Sequence, residues 1–291
     1  PDNFPFAWPP GKVIDAVQAS LTELGDVDII HTHSEMAAMF AGLIAGRRLG
    51  IPLVQTMHGR HDTYARYVLP FPTLTTFFMA RIHDHYIGHA DTPHVSVDAS
   101  YTRTILARRM WRLMVSQANY VDHVIVPSHH FAKKLQDQGV SKPLTVLSNG
   151  LEGSVLHALS DSKPRTYKST DPLKIMWCGR MSPEKRPLEF LKAIRLLSNV
   201  SVDMYGDSIA MKSVRRFIER HQLQGIVTLH GSVPQQTVLE AMQKHHVFVS
   251  SSYDFDNQPM VLLEAVATGL PVVYCDPDLG EVIPKNGSLL T

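Results

Sequence analysis

The stretch Asp256-Asn257-Gln258-Pro259-Met260-Val261-Leu262-Leu263-Glu264-Ala265-Val266-Ala267-Thr268-Gly269-Leu270-Pro271-Val272 sets an acidic loop, a helix start and the entry to a strand in one short span. Its two carboxylates, Asp256 and Glu264, stand eight residues apart. With Pro259 in the first helical turn, where a missing N–H costs nothing, Asp256 falls in the loop ahead of the helix and Glu264 about one and a half turns inside it. Gly269 ends the helix and Pro271 stops it from continuing. The free N–H groups at such a start attract anions, so one edge can take a phosphate while the carboxylates take hydroxyl groups. The apolar residues alone would fit an ordinary amphipathic helix feeding a buried strand. Glu264 argues for more, because it sits among Val261, Leu262, Leu263, Ala265 and Val266, and burying even a neutral polar group without partners costs on the order of 2 to 7 kcal/mol.

The chain of 291 residues is 44% hydrophobic and 19% charged, a globular composition long enough for two domains. A net charge of +1 gives no reason to expect nucleic acid as a partner. No run reaches the roughly 18 apolar residues of a membrane span, and Pro1-Asp2-Asn3-Phe4 carries no signal-peptide pattern. Cys178 and Cys275 lie at the ends of apolar runs, as small buried groups of a reducing, cytoplasmic compartment do. Sixteen histidines are present, but none has the setting of a zinc site, so no metal is expected.

Around the opening stretch the pattern is α/β. Helical spacing at Val13, Ile14, Val17, Leu21 and Leu24 precedes a short strand, Asp26 to His31. Ser34 is placed to cap a helix from Glu35 to Leu49, Gly50 ends it, and Ile51 to Met57 reads as the next strand. That is a βαβ unit with a right-handed crossover, and its functional residues belong beyond the strand ends, where His31, His33, His58, Gly59 and Arg60 fall. Tyr64 to Gln117 mixes Phe77, Phe78 and Trp111 with Arg66, Arg81, Arg103, Arg108, Arg109 and Arg112. Two readings stand there: a helical insert packed on its own domain, or a helix at a membrane surface. Strand 122–127, a helix 129–138 capped by Ser128, and strand 144–147 complete a first domain over 1–150.

Leu151 to Pro172, rich in Ser and Pro, reads as a linker. Residues 173–291 form a second α/β run with strands 173–178, 201–205, 226–229, 247–250 and 271–275 and helices centred on 188–197, 211–221, 235–244 and 260–268. Gly179-Arg180-Met181-Ser182-Pro183-Glu184-Lys185 follows its first strand. Gly179 allows close backbone approach, and Arg180 and Lys185 can converge on a diphosphate. Gly206-Asp207 and His230-Gly231-Ser232-Val233-Pro234 follow two further strands of this run.

These motifs together resemble the retaining glycosyltransferases of the GT-B fold, family 4, over most of the chain. In that family the acidic signature reads Glu, seven residues, Glu; here Asp256 stands for the first Glu, and Asn257-Gln258-Pro259 for the usual Gly-Phe-Gly. The resemblance implies two Rossmann-like domains facing a cleft, with an initial strand and a terminal helix expected beyond the two ends. It implies a donor site of Gly179, Arg180, Lys185, Gly231, Val233, Asp256, Asn257, Gln258, Pro259, Met260, Val261 and Glu264, in which Gly206-Asp207 matches a structural turn and the backbone of the loop His230 to Pro234 receives the base. His31, His58 and Arg60 fall on the acceptor side. Arg180, Lys185 and the helix start would stabilise charge on the leaving diphosphate without a metal or other cofactor. His58 and Asp256 would orient the sugar, Glu264 would hold the ribose, and the acceptor proton would pass to the leaving phosphate oxygen. Gln258 and the aromatic, Arg-rich insert resemble bacterial enzymes that glycosylate diacylglycerol. The expectation is therefore a nucleotide sugar donor, with the uridine diphosphate form such as UDP-glucose favoured, and a lipid or saccharide acceptor, met in the cytoplasm or at the inner face of the cell membrane. A catalytically weak nucleotide-sugar-binding scaffold remains the alternative.

Overall fold

The computed structural model describes residues 10–33, 37–88, 95–153, 155, 166–168 and 170–291. Two compact units divide between Ser148 and Asn149.

The first unit runs α1 (Pro10–Leu24), β1 (Ile30–Thr32), α2 (Ala37–Leu49), β2 (Leu53–Thr56), α3 (His61–Val68), α4 (Pro72–Ile87), α5 (Ile105–Tyr120), β3 (His123–Val126), α6 (His129–Asp137) and β4 (Leu144–Val146). Its strands form one parallel sheet in the order β1-β2-β3-β4. The α2 helix lies directly on this sheet at Gly46, where a Cβ would come within 2.6 Å of both Ile30 and Leu53. The strand expected from Asp26 starts only at Ile30, because Asp26 and Asp28 stay in solvent and the first ladder bond is Ile30 N–H to Pro52 O. Ser34 and Glu35, expected to open α2, lie outside the described residues. Ser128 does stand at the start of α6, but its hydroxyl makes no cap bond and lies 3.4 Å from His130 Nε2 instead.

The aromatic and Arg-rich segment folds into α3, α4 and α5, packed together through Ala65, Ala80, Met110 and Leu113. Thr104 caps α5 by accepting from Ala107 N–H. Trp111 follows the reading of an insert packed on its own domain: it is fully buried in the sheet's core, beside Tyr101 and Phe131. Arg112 is likewise engaged, as a two-bond fork on Asp84 at 2.8 and 3.0 Å. What α4 and the turn before it leave in solvent is Phe71, Leu74, Phe77 and Phe78.

The second unit holds β5 (Leu173–Cys178), α7 (Pro187–Ile194), β6 (Val200–Tyr205), α8 (Met211–Arg220), β7 (Val227–Gly231), α9 (Gln235–Lys244), β8 (Val247–Ser250), α10 (Met260–Ala267), β9 (Val272–Tyr274) and β10 (Ser288–Leu290). All its strands are parallel, in the order β10-β9-β8-β5-β6-β7. The chain starts at β5, winds outward through β6 and β7, then returns to the other side through β8, β9 and β10. That doubly wound order creates a switch point between β5 and β8, the place where such sheets bind ligands. Apolar clusters on the two faces hold the helices to the sheet: Met176, Phe248, Leu262 and Leu239 on one, Trp177, Phe190, Leu191 and Val214 on the other. The edge strand β10 completes the sheet from a stretch, Ser288-Leu289-Leu290, whose sequence carries no alternation.

Candidate donor and acceptor sites

The loops leaving β5 and β8 lie on either side of the switch point and are tied together. Trp177 Nε1 donates to Ser251 Oγ at 2.9 Å, and Ser251 Oγ donates to the carbonyl of Lys185 at 2.7 Å. This fixes the backbone that carries Lys185. Its ammonium sits 2.6 Å from Asp256 Oδ1 and 5.4 Å from the centre of the Phe255 ring. The Lys185 and Asp256 side chains are only 16% and 10% exposed, so the pair is mostly removed from water. Asp256 Oδ2 is buried and has no hydrogen-bond partner among the described residues. A nine-tenths-buried carboxylate with one oxygen unused is costly unless something arrives to donate to it.

Arg180 lies 3.3 Å from Glu184 Oε1 and keeps about a third of its side chain exposed (35%). Glu184 is fully buried and also accepts from Ser182 Oγ, so it orients the guanidinium from behind. Gly179 and Gly206 cross with little room. Gly179 N–H donates to Tyr205 O, and a Cβ on Gly206, at φ +120°, would lie 1.9 Å from Gly179 O. Gly206 is thus the turn that sets the floor beneath the Gly179 loop, as its structural reading anticipates. Gly206 N–H in turn donates to Gly231 O at 2.7 Å, which places the third strand end, and Val233 tucks its side chain against the core.

Across the switch point, Pro259 is the residue before α10 and not within its first turn, with an extended backbone (φ −73°, ψ 126°). The N–H groups of Met260 and Val261 follow it. Asn257 and Gln258 are buried, and Gln258 Oε1 accepts from Asn149 N–H at 2.6 Å. Gln258 therefore acts as a clamp on the loop rather than a group reaching outward. Glu264 is buried at 5% exposure on α10, where Gln235 Nε2, from the first turn of α9, donates to Oε1. That partner answers the desolvation cost set by the sequence. Cys178, behind this site, has its thiol pushed up to about 12 by burial and by the Glu264 carboxylate, so it is not a nucleophile at neutral pH.

In the first unit, β1 and β2 end side by side and bring three imidazoles together. His33 Nδ1 is 3.3 Å from His58 Nε2, the His31 and His33 rings lie 4.1 Å apart, and His31 Nε2 is 2.7 Å from Thr56 Oγ1. Burial, then the neighbouring His33 and His58, lower the His31 pKa. Arg60 corrects the sequence reading: it is 3% exposed, forks onto Asp62 at 2.9 and 2.8 Å and lies over Tyr101 and Trp111. It is buried among core residues and not displayed beyond the strand end.

Sequence reasoning missed Gln235, Ser251, Glu184 and Asn149 as supports. Each joins residues distant in sequence or buried behind the site, and only Glu184, next to Lys185 in a charged turn, carried a local signal.

Two Rossmann-like parallel sheets, the second of them doubly wound with basic and acidic loops paired across its switch point, place the candidate residues where open α/β sheets take their ligands. Residues 2–153 match the family model described as Glycosyltransferase Family 4, and residues 172–291 the one described as Glycosyl transferases group 1. The chain belongs to the group 1 glycosyltransferases of the GT-B fold. It is 23% identical over 269 residues to D-inositol 3-phosphate glycosyltransferase of Streptomyces griseus, covering 86% of this chain and 52% of that protein. Alpha-monoglucosyldiacylglycerol synthase of Streptococcus pneumoniae is 22% identical over 270 residues, 88% of this chain and 54% of that one. Among solved structures, HepE of Anabaena in complex with UDP and glucose superposes with a TM-score of 0.66 at 18% identity, covering 99% of this chain and 70% of that one. The chain spans about half the length of these curated relatives.

Proposed function

We propose that this chain transfers a sugar, with retention of configuration, from a nucleoside diphosphate donor to an acceptor hydroxyl. The observation that carries this reading is the mostly buried Lys185–Asp256 pair at the start of α10, with Asp256 Oδ2 unused. A donor entering there meets Lys185 and the Met260 and Val261 N–H groups with its diphosphate, and offers a sugar hydroxyl to Asp256. Charge growing on the leaving phosphate is then stabilised by Lys185, Arg180 and the helix start, with no metal required. Glu264, already held by Gln235, takes the ribose hydroxyls, and the backbone of the loop 230–234 receives the base. His58 serves the acceptor side. In this reading the acceptor C–O bond to the sugar forms as the sugar–phosphate bond breaks, and the acceptor proton moves to the leaving phosphate oxygen, which leaves as the nucleoside diphosphate.

The uridine form is favoured by the UDP named with the similar Anabaena structure, and a diacylglycerol-type lipid acceptor by the pneumococcal relative and by the exposed Phe77 and Phe78. Among the described residues no helix is long and apolar enough to cross a membrane, so contact with a lipid would be made from its surface. Incubation with radiolabelled UDP-glucose and diacylglycerol micelles tests this. Labelled glycolipid with an α-anomeric proton by NMR is the expected product. Donor binding with neither transfer nor hydrolysis, across UDP-, GDP- and ADP-sugars and lipid and saccharide acceptors, would leave the scaffold reading instead.

A further inference from the structure

In the middle of β6, Asp203 is bound by two imidazoles that belong to different elements. His230 Nε2, at the end of β7, meets Oδ1, and His245 Nε2, just after α9, lies 2.9 Å from Oδ2. Burial raises the Asp203 pKa, but the hydrogen bonds from His230 and His245 prevail and hold it below the usual carboxylate range. The second nitrogen of His245 is 2.6 Å from Ala241 O, so the same ring closes the last turn of α9. His230 stacks on Tyr205 with ring centres 4.3 Å apart and planes 5° from parallel. The opposite end of α9 is tied as well, because Gln235 in its first turn donates to Glu264. Apolar residues Val238, Leu239 and Met242 seat α9 on the sheet, and its flank along β6 borders a cavity of about 380 Å³ lined by Lys174, Ser201, Tyr205, Thr237, Glu240, Ala241 and Lys244 with Asp203 and His245. Beside that cavity the bonds of Asp203 to His230 and His245 tie β6 to the loop ahead of α9 and to the end of α9 itself.

We infer that Asp203 is a positioning residue for nucleoside recognition, clasping the loop 230–234 through His230 and the helix that orients Glu264 through His245. The inference rests on the proposed donor site, in which the loop receives the base and Glu264 the ribose. Lys185, Arg180 and the α10 start are fixed by other contacts, through Ser251, Glu184 and Asn149. The clasp therefore acts on the nucleoside half of the donor and leaves the diphosphate half alone. Losing it lets two nucleoside contacts relax together without touching the ligand.

Calorimetry with uridine, guanosine and adenosine diphosphates and with pyrophosphate, on the parent chain, Asp203→Asn, His230→Gln and the double variant, tests this. His230 is partly exposed, so His230→Gln gives a variant that folds if Asp203→Asn does not. Expected is a loss of about fivefold or more in affinity for whichever nucleoside diphosphate the parent binds, with pyrophosphate affinity unchanged. The double variant should lose less than the product of the single losses. In transfer assays KM for the donor should rise while kcat at saturating donor holds within about twofold. Equal nucleoside diphosphate affinity in parent and variants, or a matching loss for pyrophosphate, overturns the inference and leaves the proposed function standing. A parent that binds none of the three nucleotides overturns the proposed function and this inference with it.

Discussion

Lys185 Nζ and Asp256 Oδ1 are 2.6 Å apart, although the two residues are separated by 71 positions in sequence. The cation assigned to the diphosphate and the carboxylate assigned to the sugar thus neutralise one another before any donor arrives. Each is the other's support, and a variant at either changes both.

Lys185→Ala removes a cation facing the diphosphate and strands Asp256 with two unpaired oxygens. A charge-assisted bond is worth about 1.5 to 3 kcal/mol, which is roughly a tenfold to hundredfold loss of nucleoside diphosphate affinity. Leaving a mostly buried carboxylate without its partner also lowers stability. Calorimetry and thermal unfolding of the same variant check both, and unchanged affinity in a folded protein removes Lys185 from the site.

Asp256→Asn separates the roles. It keeps the side chain's shape and frees Lys185 from its counter-charge, so nucleoside diphosphate affinity should stay level or tighten a few-fold. Transfer should fall about tenfold or more, because a sugar hydroxyl loses a charged acceptor. Turnover at the parent rate would mean that the acidic loop no longer takes part.

The lipid-surface expectation now rests on α4 and not on Trp111. Phe77 and Phe78 are 45% and 56% exposed, whereas Trp111 is wholly enclosed. Phe77→Ser with Phe78→Ser should reduce co-sedimentation with vesicles containing phosphatidylglycerol. Binding of the parent should weaken with salt, at about 1 kcal/mol per basic residue near the surface. Equal recovery with neutral and anionic vesicles, before and after substitution, counts against surface contact.

His83 makes the first unit acid-sensitive. It is 1% exposed beside Phe40, and burial lowers its pKa from 6.5 to about 4 despite the opposing pull of Asp84. Above pH 6.5 it is neutral folded and unfolded, and contributes no pH dependence. As pH falls from 6.5 toward 4 the unfolded chain takes the proton first, and each unit costs up to about 1.4 kcal/mol of stability. Urea midpoints at pH 7.5 and 5 should therefore differ by more in the parent than in His83→Leu. Equal pH slopes would show that His83 titrates normally in the folded chain.

Much of the architecture was legible in order of residues. Alternating apolar runs and helical spacings located the strands and helices of the second unit to within a few residues, because each element must bury one face and the turns are marked by Gly and Pro. Glu264, an ionisable group inside an apolar helix, was legible as a group needing a partner. Asp256, Lys185 and Arg180 were legible as charged loop residues beyond strand ends. The edge strand Ser288–Leu290 was not, since three residues without alternation carry no period.

What only the tertiary structure decided is which charges meet. The switch point between β5 and β8 is a property of strand order, and it alone carries the Lys185 loop against the Asp256 loop. The same packing turned Arg60 onto Asp62 under Tyr101 and Trp111, although its place beyond a strand end looked like that of His58. Gln235 reached Glu264 and Asp203 gathered His230 and His245 through contacts 27 to 42 residues apart in sequence. Local sequence sets which residues can ionise, turn or bury a face; the partner that answers a buried charge is chosen by the crossing of strands and helices, and no spacing along the chain encodes it.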